Sequence, residues 1–168
     1  MQSRARLLGH SIHAMLIVFP LGLLGTAAIF DIIGFATHNG WWPEVAFWMI
    51  GAGVIGRLLA AVFGVIDWLA IPSGTRAKFV GLVHGVLMVL AVALFAASWF
   101  LRRNDPANPG MIPLILSIAG LAVALIGAWF GGELVDRLGV GVDDGAHLNA
   151  PNSLSGRPAQ SDASLRGT

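Results

Sequence analysis

The chain has 168 residues, of which 56% are hydrophobic and only 11% charged, with a formal net charge of +1. So little charge cannot cover a soluble surface, and the balance fits a protein whose solvent is lipid. With no cysteine and no tyrosine, disulfides, cysteine-ligated iron–sulfur clusters, thiolate catalysis, covalent c-type haem and tyrosine radicals are excluded, and no basic stripe points to nucleic acid.

The first element is introduced by "LLGHSIHAML", which sets His10 and His13 at the mouth of an apolar run from Ile12 to Phe35. Arg4 and Arg6 ahead of it resemble a signal-peptide n-region, and "GTAA" resembles a cleavage site. The apolar run continues well past that point and is too long for an h-region, so it reads as a membrane span. Pro20 inside it removes a helical N–H and is expected to kink the helix, freeing the carbonyl of Leu16.

Three further spans follow, Pro43 to Ile71, Phe79 to Leu101 and Ile112 to Gly131. Each supplies the roughly 20 apolar residues that a bilayer crossing needs. The links "HNGWWP", "IPSGTRAK" and "RRNDPANPG" are short, so neighbouring helices run antiparallel. Pro43 and Pro113 fall in first turns, where a missing N–H costs nothing. The fold expected is all-α: an integral membrane antiparallel four-helix bundle over 1–142. Residues 143–168 are rich in Gly, Ser, Pro, Asp and Ala without apolar period, and read as a disordered cytoplasmic tail. Asp143, Asp144 and His147 carry metal-ligating groups, but there they read as solvated tail residues.

Basic residues set the orientation. Arg4, Arg6, Arg76, Lys78 and Arg137 share one side, against Arg102 and Arg103 on the other. The positive-inside rule therefore places both termini in the cytoplasm, in a bacterial inner membrane. Trp41, Trp42 and Trp99 then mark the outer interface, and Trp68 and Trp129 the inner one. Small residues recur every four positions at Gly56, Ala60 and Gly64, and again at Gly120, Ala124, Ala128 and Gly132. Such ridges let helices approach closely, within the bundle or against a second copy of the chain.

Charged residues within the spans cost roughly 2.5–3.5 kcal/mol each at the bilayer centre, so each needs a partner or a purpose. At about 1.5 Å per residue, His84 falls about 9 Å and Asp67 about 12 Å to the cytoplasmic side of the midplane. His13 and Glu133 fall about 14–15 Å to that side, with His10 one turn further out on His13's face. All four spans thus send a polar group into one inner-leaflet layer. Arg57 falls near the midplane and Asp31 about 13 Å outward, and the two are expected to form a structural ion pair.

Three readings of the layer stand side by side. It is a hydrogen-bond network among Asp67, His84, His13 and Glu133, closed at the surface by Arg76 and Arg137. It is a cofactor site, with His13 and His84, or His10 in place of His13, as axial ligands of haem b, which needs no cysteine. Or it is a proton relay of a small transporter through Asp67, His84 and Glu133. A zinc hydrolase is disfavoured, because "HSIH" lacks the spacing and glutamate of HExxH.

"GHSIHAMLIVFPLGLLGTAAIFD", "GVIDWLAIPSGTRAK", "GLVHGVLMVLAVALFAASWFLR" and "GAWFGGELVDRLGVGVD" together span residues 7–143. They resemble an uncharacterised bacterial membrane-protein family, domain of unknown function 2231. The resemblance implies a four-helix integral membrane protein. It falls on His10, His13, Asp67, Arg76, His84 and Glu133, and it transfers no settled activity. Some members look to be joined to Rieske-type iron–sulfur domains, which favours a redox role with a redox partner. Two departures stand out. Ala14 replaces a proline of the pattern, and Asp136 and Leu138 stand where a tyrosine and a further histidine are expected.

Overall fold

The computed structural model describes residues 1–161; residues 162–168, the end of the expected tail, lie outside the described residues. The chain opens on a small antiparallel hairpin, β1 (Arg6–Leu7) and β2 (His10–Ser11), with Leu7 opposite His10. Leu8 and Gly9 in its turn both take positive φ, the backbone sense that fits a two-residue turn to strand twist. His10 therefore sits in a strand and not one helical turn outside His13.

Helix α1 (Ile12–Leu16) starts where Ser11 accepts the Ala14 N–H. It breaks at Ile17, and α2 (Val18–Thr37) continues the span. The break lies just before Pro20, which cannot donate to the Leu16 carbonyl, as the sequence implies. Then come α3 (Trp41–Ala70), α4 (Arg76–Leu101) and α5 (Met111–Gly132), the last running into a π-helical turn at Glu133–Arg137. Four helical stretches, 12–37, 41–70, 76–101 and 111–137, are long and apolar enough to cross a membrane. Successive helices run antiparallel. The hairpin, the α3–α4 loop and the π turn meet at one end, here the basal end. The α2–α3 and α4–α5 loops lie at the distal end.

α2 packs along α3, and α4 along α5; α3 with α4, and α2 with α5, meet more sparsely. Two tight pairs thus join along looser seams. Their common core is Leu24, Ala27, Ala46, Ile50 and Phe95. Small residues make the tight pairs, as expected where lipid removes the hydrophobic drive between helices. The Gly56–Ala60–Gly64 ridge receives Pro20 and His13 from the first span. On α5 the contact runs through Gly120, Gly127 and Gly131, which meet Phe95, Met88 and His84. Ala128, expected on that ridge, is exposed instead. These ridges are therefore filled by the chain's own side chains. Large apolar residues such as Val18 and Trp48 point outward, each about 70% exposed, as a lipid-facing surface requires.

The expected Asp31–Arg57 pair does not form. Asp31 is held instead by Arg102, whose two terminal nitrogens donate at 2.7 and 2.9 Å. Ser117 also donates to Asp31, and Ser98 accepts from Arg102. The reason is height along the bundle: Arg102 caps α4 at the level of Asp31, whereas Arg57 lies in the middle of α3.

After Val142 the described chain holds turns and short 3-10 turns at Ser153–Ser155 and 159–161. It runs against the hairpin: Asp143 accepts from Arg6 at 2.8 Å, and Ser153 lies 3.4 Å from His10 Nε2.

Candidate functional site

The loose seam between α3 and α4 opens into a cavity of about 470 Å³ whose walls include His13, Arg57, Gly64, Gly81, His84 and Gly85. A reciprocal clasp closes its basal side. Trp68 Nε1 donates to the Lys78 carbonyl at 3.1 Å, and Lys78 Nζ donates to the Trp68 carbonyl at 2.7 Å. The Lys78 ammonium also rides 4.1 Å above the Trp68 ring. The indole fills the notch left by Gly81, where a Cβ would come within 2.7 Å of it. Towards mid-membrane, the Arg57 guanidinium reaches the sulfur of Met88.

The two histidines are held alike. His13 Nδ1 lies 2.8 Å from the Ala60 carbonyl of α3, and His84 Nδ1 lies 2.8 Å from the Gly127 carbonyl of α5. A carbonyl only accepts, so each Nδ1 carries the proton. In the neutral form of either ring the lone pair then lies at Nε2. The Pro20-linked break sets α1 against α3, and the His13 ring lies on Gly64, where a Cβ would be 2.8 Å from Cε1. His84 lies similarly on Gly131.

The remaining polar residues form a separate, more basal tier. Asp67 accepts from Ser3 Oγ at 2.8 Å, from the Arg4 N–H at 2.7 Å and from the Ala5 N–H at 3.3 Å. It is spent on holding the N-terminal segment. Glu133 pairs with Arg76 at 2.5 Å. Arg137 is exposed, with no ion pair among the described residues. His10 is exposed on the hairpin and is not in the cavity wall. Among the described residues no hydrogen bond links Asp67, His84 and Glu133 to one another, and of the contacts expected in the layer the Arg76–Glu133 pair is present. Along the helices Asp67 stands about 10 Å basal to Ala60, and Glu133 about 9 Å basal to Gly127.

The structure thus brings His13 and His84 to one chamber and leaves His10, Asp67, Arg76, Glu133 and Arg137 outside it. It adds Arg57, which sequence reading had given to Asp31, and the Trp68–Lys78 clasp. The clasp had one visible signal, an aromatic and a basic residue flanking a short loop.

Chemically, the chamber offers two imidazoles from different elements, with no hydrogen bond at either Nε2 among the described residues. Gly85 supplies smooth wall. A Cβ at Gly85 would meet nothing within 4 Å, so the space before it is open. Among the described residues no group of three or more His, Cys, Asp or Glu is placed to hold a metal ion. Two imidazoles are fewer donors than the three or four protein ligands of a zinc site.

Residues 9–144 match the family described as "Predicted membrane protein (DUF2231)". No curated protein and no solved structure matches the chain.

Proposed function

This chain belongs to the DUF2231 family of predicted membrane proteins, and from that premise we propose that it is a redox membrane subunit binding haem b between His13 and His84. One observation carries the reading: both imidazoles line one cavity, and each is turned by an Nδ1–H bond to a backbone carbonyl. Such a bond fixes the tautomer and ring plane of a metal-ligating histidine and raises the basicity of its other nitrogen. Haem, when bound, supplies one-electron transfer.

The chain's own residues prepare the place. Ala60 and Gly127 aim the rings. Gly85 leaves room for a flat body. Leu58, Val65 and Val89 keep the surroundings apolar, and the Trp68–Lys78 clasp closes the basal side. A cavity of about 470 Å³ lies within the roughly 300–1,000 Å³ usual for buried ligands.

The same reading places the basal end in the cytoplasm of a bacterial inner membrane. Arg4, Arg6, Arg76, Lys78 and Arg137 belong to that end. At the distal end Arg102 is neutralised by Asp31, which leaves Arg103 there. The positive-inside rule then favours the basal end inside.

The test is the visible spectrum of the detergent-purified protein from haem-replete cells. The expected result is a Soret band and, on reduction, the sharp α and β bands of low-spin bis-histidine haem. A colourless preparation that also takes up no added hemin rejects the proposal.

A further inference from the structure

Arg57, within α3, and Arg102, at the end of α4, are treated differently. Arg102 is 1% exposed and grips Asp31 with both terminal nitrogens. Arg57, in the middle of α3, has no carboxylate partner among the described residues: its hydrogen-bonding neighbour there is the sulfur of Met88, a weak acceptor. It lines the α3–α4 cavity, and the whole cavity wall contains no Asp or Glu. The chamber therefore holds one fixed positive charge and no negative one, in surroundings where an unpaired charge is strongly disfavoured. Lipid-facing arginines relieve that cost by extending to the interface. Arg57 lies near mid-membrane and instead faces the chamber that His13 and His84 share.

We propose that Arg57 is the counter-cation for a carboxylate on the molecule that fills this cavity. On the haem reading, upon which this inference rests, that carboxylate is a haem propionate. The placement is consistent along α3: Arg57 lies one turn from Ala60, the residue that orients His13, and on the mid-membrane side of it. A body bound at the histidines and reaching along the seam presents its acidic edge to the guanidinium. Guanidinium suits this role because its forked donors match a carboxylate. The site thereby selects an anionic porphyrin over a neutral one.

The experiment titrates the detergent-purified full chain with hemin and with hemin dimethyl ester, whose propionates are uncharged. Wild type is expected to bind hemin about tenfold tighter than the ester, or about 1.4 kcal/mol. Arg57→Gln should bind both with the affinity of wild type for the ester, and Arg57→Lys should keep most of the preference. Without ligand, Arg57→Gln should unfold at the same temperature as wild type or higher, because an unpaired charge has gone; a lower temperature would mark a structural arginine and overturn the assignment. If wild type binds both porphyrins equally, the haem reading stands and the role of Arg57 falls. If wild type binds neither, both fall.

Discussion

Arg102 and Asp31 form a bidentate ion pair, side chains 0% and 1% exposed, that ties the end of α4 to α2. Ser117 of α5 donates to the same carboxylate, and Ser98 of α4 accepts from the guanidinium. Four polar groups from three helices thus close the distal half of the bundle. The pair lies where α2 meets α5 only sparsely, and it strengthens that seam. Among the described residues no ion pair spans α3 and α4 above the Trp68–Lys78 clasp, and the cavity opens there.

Removing one member of this pair leaves the other charge buried without its partner. Asp31→Ala is expected to destabilise the bundle by about 3–5 kcal/mol. The measurement is reversible unfolding in mixed micelles, followed by circular dichroism. The double variant Asp31→Leu with Arg102→Met should recover most of the loss, since a well-packed apolar pair replaces buried charge at little cost. A double variant as unstable as Asp31→Ala would mean that the pair acts through something other than its charges.

His10, His13 and His84 separate cleanly by position. His13→Ala and His84→Ala should each abolish the low-spin spectrum. His10→Ala should leave it intact, because His10 is exposed and its ring nitrogen lies near Ser153. Reduced-minus-oxidised spectra of the three purified variants check this. Loss of the signal in His10→Ala alone would reverse the assignment of the ligands.

Spans and depth were legible in the residues, because a bilayer demands long apolar runs and a helix converts residue number into height. That ruler picked out His13 and His84. It says nothing about rotation around each helix axis, and rotation decides partners. Asp67 shares the histidines' face of the membrane, yet its carboxylate turns to Ser3 and to the backbone of Arg4 and Ala5. Backbone N–H groups leave no trace in residue type, so that capture was not readable. Arg102 looked like a loop residue because it follows the last apolar turn of α4; only packing shows it turned inward. The small-residue ridge of α5 was read at strict four-residue spacing, whereas the contact with α4 uses Gly120, Gly127 and Gly131.

Gly85 gives a steric test that leaves the ligands untouched. A Cβ there would meet nothing within 4 Å, and the residue lines the cavity. Gly85→Leu should therefore fold with nearly unchanged stability while its side chain occupies the chamber. Haem content should drop to near zero. Gly64→Ala makes the contrast, since its Cβ would press on the His13 ring at 2.8 Å and should disturb the ligand itself. Full haem loading of Gly85→Leu would place the cofactor elsewhere.

Asp67 separates the basal tier from the chamber. Its carboxylate holds three donors of the N-terminal segment, so Asp67→Ala leaves Ser3, Arg4 and Ala5 without their acceptor. Hydrogen bonds to a charged group contribute about 1.5–3 kcal/mol each. Asp67 is only half-buried, so the sum is discounted for solvent. Hydrogen exchange should then quicken by at least about tenfold at residues 4 and 5 while the helices stay protected. The visible spectrum should not change, because neither histidine is bonded to Asp67. A variant that lost the spectrum along with the protection would show that the two tiers act as one unit, and that the N-terminal segment helps to hold His13 in place.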